Sequence, residues 1–129
     1  MRKMVALLLL LPLWGCQPPG YVLELEKGSR PPLVHIYNEG SFPAGGKSWS
    51  SKSPCVERIR ILPELREEND PIYWSLTAKS GCVPLRQLVL GQTPDGFVVE
   101  RAYDVRPGKR YYLEMEGTEH RDGSILIEL

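Results

Sequence analysis

Histidine and cysteine, the residues from which catalytic and metal sites are most often built, are scarce in this chain. The 129 residues contain two histidines, His35 and His120, and three cysteines. No CxxC or HxxxH spacing indicates a zinc site, and no Gly-x-Ser-x-Gly motif indicates a nucleophilic serine. We therefore expect no catalytic residue, no metal and no cofactor, and we predict that the chain is not an enzyme. The competing interpretation is a metal site formed by Cys55 and Cys82 together with the two histidines.

An excess of charge of one sign is also missing. Sixteen Lys and Arg residues balance sixteen Asp and Glu residues. A nucleic-acid-binding protein carries a strongly basic surface, so we expect no nucleic-acid partner. Apolar residues make up 42% of the chain and charged residues 25%, a composition that excludes a disordered tail and a protein with several membrane spans. The length is that of one domain.

Long hydrophobic runs are absent apart from one segment near the N-terminus. Residues 4–14 are almost entirely apolar and follow Arg2 and Lys3. A helix that spans a bilayer needs about 20 apolar residues, so this run is too short and instead matches the central part of an export signal. It ends in the sequence LWGC at residues 13–16, which resembles the lipobox of bacterial lipoproteins. Trp14 departs from the small or β-branched residue usual there, and the alternative is an ordinary buried apolar helix.

The lipobox resemblance implies that residues 1–15 are a signal peptide and that Cys16 becomes the lipidated first residue of the mature chain. Gln17 follows, in place of the Asp that marks inner-membrane retention in enteric lipoproteins. That difference favours the inner leaflet of the outer membrane, facing the periplasm. Residues 16–20 then form a tether of at most roughly 14 Å. We expect the domain at residues 21–129 to lie against the membrane surface.

Alternating apolar and polar residues dominate the rest of the chain. This period of two predicts about eight short strands, at residues 21–26, 33–37, 55–62, 72–78, 85–90, 97–105, 111–116 and 125–129. The dipeptide Asp122-Gly123 predicts a tight turn before the last strand. No long stretch has helical periodicity. We predict an all-β fold, an antiparallel β-sandwich of about seven to eight strands.

One segment makes the fold prediction more specific. Residues 105–113, VRPGKRYYL, resemble the segment that joins two late strands in fibronectin type III domains, where Pro-Gly precedes a tyrosine. The resemblance implies a tyrosine corner formed by Pro107, Gly108 and Tyr111, in which the Tyr111 ring is buried and its hydroxyl bonds to backbone upstream. We therefore expect a fibronectin-III-like or immunoglobulin-like sandwich.

Cys55 and Cys82 remain as a pair once Cys16 carries lipid, and an oxidising compartment favours a disulfide between them. If residues 55–62 and 72–79 form antiparallel strands joined by residues 63–71, the outer ends of the two strands meet. The cysteines then lie close enough for a bridge. The loop-entropy relation gives such a bridge roughly 3.5 kcal/mol of stabilisation.

Two loops are candidates for contact with a partner. Residues 38–54 are rich in Gly, Ser and Pro and contain Phe42 and Trp49, which either anchor a partner or, in the case of Trp49, cover an open sheet edge. The second loop carries four carboxylates in seven residues, Glu64, Glu67, Glu68 and Asp70. It is either an exposed turn or an acidic patch for a basic partner.

These features together predict a non-catalytic binding module, held at the membrane by its lipid and bound to a protein in the periplasm. In layout the chain resembles small periplasmic lipoproteins proposed as immunity proteins for type VI secretion effectors. One alternative is a structural accessory lipoprotein of an envelope or secretion assembly. Another is a small cell-wall glycan hydrolase that uses Glu67 or Glu68.

Overall fold

The structure is a computed structural model that describes residues 20–40, 46–47, 52–65 and 69–129. These residues form nine strands, and a single turn of 3-10 helix, Thr118–His120, joins the last two. The strands are β1 (Tyr21–Leu25), β2 (Leu33–Asn38), β3 (Cys55–Pro63), β4 (Trp74–Ala78), β5 (Val83–Pro84), β6 (Gln87–Val89), β7 (Phe97–Arg101), β8 (Arg110–Gly117) and β9 (Asp122–Glu128). Within the described ranges, no helix is long and apolar enough to cross a membrane.

All strand pairs are antiparallel, and the strands form two sheets. The smaller sheet has the order β1-β2-β6, and the larger has the order β7-β4-β3-β8-β9, with β5 beside β3. In immunoglobulin-like sandwiches strands A, B and E share one sheet, and strands C, F and G share the other with C′ beside C. The two sheets have this division, with β7 added next to β4. The predicted all-β sandwich is confirmed.

The core lies between the two sheets and follows from the period-two pattern. Inward residues of the small sheet, such as Leu23, Val34 and Ile36, are buried. They pack in one cluster with inward residues of the large sheet, such as Ile59 and Leu113. Successive side chains of a strand point to opposite faces, so many of the intervening residues, such as Glu24, Arg60 and Glu114, are polar and face outward.

The tyrosine corner has the geometry that the resemblance implies. Tyr111 is 3% exposed, and its hydroxyl accepts a hydrogen bond from the backbone N–H of Arg106 at 3.1 Å. Gly108 has a φ of +84°, which an L side chain rarely adopts, so the turn before β8 requires glycine there. The Tyr73 ring packs edge-on against Tyr111 with centroids 5.0 Å apart. The corner therefore fixes the loop that leads into β8.

The predicted disulfide between Cys55 and Cys82 is confirmed. The two Cα atoms are 5.3 Å apart, within the range that a bridge requires. Cys55 begins β3, and Cys82 precedes the two residues of β5, which pair with β3. As predicted, β3 and β4 run antiparallel, with Ile59 opposite Leu76. The bridge therefore joins neighbouring segments at one end of the large sheet.

Two local predictions were wrong. Asp122-Gly123 does not form the turn, because both residues already pair within β9, where Gly123 lies opposite Met115. The chain reverses earlier, at Thr118–His120, where Glu119 has a φ of +60°. The strand predicted at residues 97–105 ends at Arg101, because the chain leaves the sheet edge before the tyrosine corner.

Candidate functional site

The two ends of the sandwich carry different features, and the first contains the start of the described chain. Gly20, Asn38, Cys55, Gly117 and Asp122 lie at this end, which we call the tether end. Tyr21 pairs with Asn38, Val56 with Gly117, and Glu116 with Asp122. The Tyr21 hydroxyl donates a hydrogen bond to the Cys55 carbonyl at 2.5 Å. This bond joins the two sheets at the tether end.

The opposite end, which we call the far end, carries the loop of residues 64–70. Leu25, Pro63, Trp74 and Arg110 lie there, since β1 and β3 run away from the tether end and β4 and β8 run back towards it. The loop of residues 38–54 starts and finishes at the tether end, with β2 before it and β3 after it. The two predicted contact loops are therefore attached to opposite ends of the sandwich.

Gly20 is held firmly at the tether end. Its N–H donates to Glu39 Oε2 at 2.9 Å, and its carbonyl accepts from the Glu39 N–H at 2.9 Å. A Cβ on Gly20 would lie 2.1 Å from the Asp122 carbonyl oxygen, so only glycine fits this approach of β1 to β9. Gly20 is thus held between Glu39 and β9.

Several predicted site residues lie outside the described residues. These are Cys16, Phe42, Trp49, Glu67 and Glu68.

Lys47 is one of the described residues inside the segment that contains the two predicted aromatic anchors. Its Nζ is 2.8 Å from Glu24 Oε1 and 4.9 Å from the centre of the Tyr37 ring. The hydrogen bond to Glu24 raises the pKa of Lys47. The backbone of Lys47 also pairs with that of Glu39 in an isolated antiparallel β-bridge. This part of the segment therefore folds onto the small sheet.

The acidic loop at the far end is described at Glu64, Leu65, Asn69 and Asp70. Glu64 pairs with Arg110 at 2.7 Å, and both side chains are largely solvated. Exposed pairs of this kind contribute about 0–1 kcal/mol, so a partner can replace either side chain at little cost. Leu65, next along the chain, is 82% exposed. Asp70 is half-buried.

His35 is paired with a carboxylate. Its Nε2 lies 3.3 Å from Glu26 Oε1 on the outside of the small sheet. Among the described residues, no three His, Cys, Asp or Glu side chains are placed to hold a metal ion.

An acidic depression of about 560 Å³ lies at the tether end, lined by Glu57, Glu116, Glu119, Asp122 and others.

The outer face of the large sheet carries a row of charges that the sequence did not identify as a site. Arg60 bonds to Glu114 and, at 2.8 Å, to Glu116 on β8. On the other side, Glu100 of β7 accepts hydrogen bonds from Ser75 and Thr77 of β4.

A groove of about 310 Å³ lies within this row, and we call it the arginine groove. Its lining is Arg58, Arg60, Ile72, Ser75, Glu100 and Arg101. Arg60 and Arg101 both lie opposite Ser75 in the register, so three strands contribute to one line of residues. Arg60 and Arg101 are about 40 positions apart in sequence. The adjacency of β3, β4 and β7 brings them together.

The chain has no match among protein-family models, curated proteins or solved structures.

Proposed function

We propose that the chain is a lipid-anchored lipoprotein of a bacterial envelope that acts as a non-catalytic binding module. The lipobox-like sequence at residues 13–16 supports the anchor. The Cys55–Cys82 disulfide fits an oxidising compartment such as the periplasm. The observation that carries the proposal is the attachment of Gly20 to one end of the sandwich, four residues after Cys16.

The short tether determines how an anchored domain would face the membrane. Four residues reach at most roughly 14 Å when extended, and Gly20 is hydrogen-bonded in place. With Cys16 in the bilayer, the tether end is therefore close to the lipid headgroups. The far end, with Glu64, Leu65 and Asp70, is directed into the periplasm, where a soluble partner can reach it.

In the more specific form of the proposal, the chain is an immunity protein against a type VI secretion effector. Such a protein must bind a toxin in the periplasm and needs no catalytic group of its own. The carboxylates of residues 64–70 suit a basic surface on the toxin. Leu65 provides an exposed apolar side chain among them, which a partner can remove from water.

The anchor is tested by labelling cells with radioactive palmitate and by mass spectrometry of the N-terminal peptide. We expect label in the wild-type chain and none in Cys16→Ser. Cys55 and Cys82 should be oxidised to each other when the wild-type chain is isolated from cells. An unlabelled wild-type chain, or two free thiols, would overturn the envelope location.

The immunity role is tested by growth of a sensitive host that exports the toxin encoded beside this gene. Co-expression of the chain should restore growth. The double variant Glu64→Lys, Leu65→Ser should lose this protection, whereas Glu57→Lys, with the same charge change at the tether end, should keep it. If the neighbouring gene encodes no toxin and the chain instead co-purifies with an envelope complex, the accessory-lipoprotein role replaces the immunity role.

A pull-down of the tagged mature chain from envelope extracts tests the two contact loops independently of toxicity. We expect the recovered partner to change when Trp49 is replaced by Ala or when residues 64–70 are replaced by Gly and Ser. The same partner at the same yield with both variants would rule out both loops as contact surfaces.

A further inference from the structure

β7 is an open edge of the large sheet. It pairs with β4 on one side, and no described strand pairs with it on the other. Val98 and Val99 are 47% and 45% exposed. Few other large apolar side chains in the described part of the chain are as exposed. An exposed edge strand with apolar side chains is a template on which another chain can pair, and proteins commonly protect such edges.

The backbone of Val99 is the part of this edge that can bond to a further strand. The Gly96 carbonyl accepts from the Lys79 N–H on β4. Backbone groups of an antiparallel strand alternate in direction, so those of Val98 face β4 and those of Val99 face the open side. Phe97, which also faces this side, already donates its N–H to the Pro94 carbonyl.

The arginine groove lies beside this edge and carries more positive than negative charge. Three arginines and one glutamate line it. Arg60 is occupied by Glu114 and Glu116, but its Nε is buried without a hydrogen-bond partner. Among the described residues, Arg58 pairs with Glu116 alone, at 3.7 Å. Arg101 forms no ion pair with any residue in the described part of the chain, so it offers a guanidinium group that a carboxylate can bind bidentately.

We infer that β7 is the edge to which an extended, acidic segment of a protein partner adds as a further strand, with one of its carboxylates in the arginine groove. The inference rests on the proposed role as a binding module and names the surface and chemistry of the contact. Strand addition provides affinity through main-chain hydrogen bonds, and side chains on alternate positions provide specificity.

A second copy of this chain is a poorer occupant of the same edge. Antiparallel pairing of two β7 strands would bring the arginines beside one edge close to those beside the other, and like charges at close range oppose association. An acidic segment of another protein avoids the charge conflict.

The test uses the chain as it is purified from membranes, in detergent micelles at low salt. Two fluorescent ten-residue peptides serve as probes, one alternating Val and Glu and the other alternating Val and Lys. Affinity is measured by anisotropy, and the contact is located by backbone amide NMR. We expect the Glu peptide to bind at least tenfold more tightly than the Lys peptide and to shift the amides of Phe97–Arg101 most.

Two variants with matched controls separate the backbone from the charge. Val99→Pro removes the outward N–H and should weaken binding of the Glu peptide at least tenfold, whereas Val99→Thr keeps that N–H and should change it less than threefold. Arg101→Glu should weaken it at least fivefold, whereas Lys109→Glu, outside the groove, should stay within twofold. Near-ultraviolet circular dichroism confirms that each variant is folded.

Equal binding of the two peptides, shifts centred away from Phe97–Arg101, or unchanged affinity in Arg101→Glu would each overturn the inference. Sedimentation showing a dimer that Val99→Pro abolishes would also overturn it, in favour of a second copy at this edge. None of these results depends on lipid attachment or on toxin protection. Failure of the edge and failure of the proposed function are therefore distinguishable.

Discussion

Tyr21 connects three parts of the molecule at the tether end. Its hydroxyl donates to the Cys55 carbonyl at 2.5 Å. A Cβ on Gly117 would lie 1.7 Å from that hydroxyl oxygen, and a Cβ on Gly123 would lie 2.5 Å from the Tyr21 carbonyl oxygen. Two glycines on strands β8 and β9 therefore leave the room that this one side chain and its backbone occupy.

Replacement of Tyr21 by Phe should lower the free energy of unfolding by about 1–2 kcal/mol, because it leaves the partly buried Cys55 carbonyl without its donor. The measurement is urea unfolding followed by fluorescence. Tyr112→Phe removes a hydroxyl from the outer face of the same domain and should change stability by less than about 0.5 kcal/mol. Equal effects of the two variants would mean that the Tyr21 bond contributes nothing specific.

Burial raises the pKa of Tyr21, with Glu57 adding to the shift and Arg121 opposing it. Above about pH 10, the ordinary tyrosine pKa, the unfolded chain loses a proton that the folded chain keeps. Stability should therefore fall as pH rises from about 10 towards the raised pKa, and it should be insensitive to this group below pH 10. Tyr21→Phe should reduce the fall only in part, since burial also raises the pKa of Tyr103. Thermal unfolding between pH 8 and 11 measures how stability changes with pH in the wild-type chain and in Tyr21→Phe.

Gly117→Ala should destabilise the domain by more than about 2 kcal/mol, since the new methyl group overlaps the Tyr21 hydroxyl and lies 2.8 Å from the Cys55 carbonyl oxygen. Removing the hydroxyl relieves part of the overlap. The double variant with Tyr21→Phe should therefore cost less than the sum of the single changes, and a double-mutant cycle measures that coupling. Strict additivity would show that the two residues do not compete for space.

At the scale of elements, the disulfide joins β3 to the short strand β5. β5 contains two residues and pairs only with the first two residues of β3. Its position therefore depends on the covalent link and on the hydrogen bond from the Leu85 N–H to the Pro54 carbonyl. The longer strands β3 and β8 pair over most of their length and need no such support.

Replacement of both Cys55 and Cys82 by Ala should lower the free energy of unfolding by roughly 3.5 kcal/mol, since the bridge closes a loop with a sequence separation of 27. Hydrogen exchange should accelerate most at Val83 and Leu85 and least at Ile61 and Leu113. Uniform acceleration would instead mean that the disulfide stabilises the domain as a whole and has no additional effect on β5.

The long strands could be predicted from the sequence because they have one buried and one solvated face. Ile59 and Ile61 in β3, and Leu113 and Met115 in β8, alternate with charged residues and are all buried. β5 could not be predicted, because two residues contain no period. Gly123 was misinterpreted because a turn and a close backbone approach both favour glycine, and only the position of β1 against β9 distinguishes them.

Less of the candidate site could be predicted. The composition of residues 38–54 and 64–70 identified two loops, but strand direction determines that they are attached to opposite ends. Alternation with Ile59 and Ile61 indicates that Arg58 and Arg60 face away from the core. Their proximity to Arg101 depends on the pairing of β7 with β4, which no local pattern in the sequence encodes.

At the scale of the whole molecule, anchoring at Cys16 would hold the domain in one orientation. In vesicles that contain gadolinium-labelled lipid, amide signals of Gly117 and Gly123 at the tether end should broaden strongly, and that of Gly108 near the far end should not. Insertion of twenty Gly and Ser residues between Pro19 and Gly20 should remove the difference, because the domain can then tumble. Equal broadening in the wild-type chain would contradict a short, fixed tether.

The separation of the two ends has a consequence for occupancy. β3 has nine residues, so about 30 Å of rigid sheet lies between the starting points of the two loops. A molecule bound beyond one end does not touch a molecule bound beyond the other. The domain can thus act as a spacer of defined length, with two ligands held simultaneously and neither displacing its counterpart.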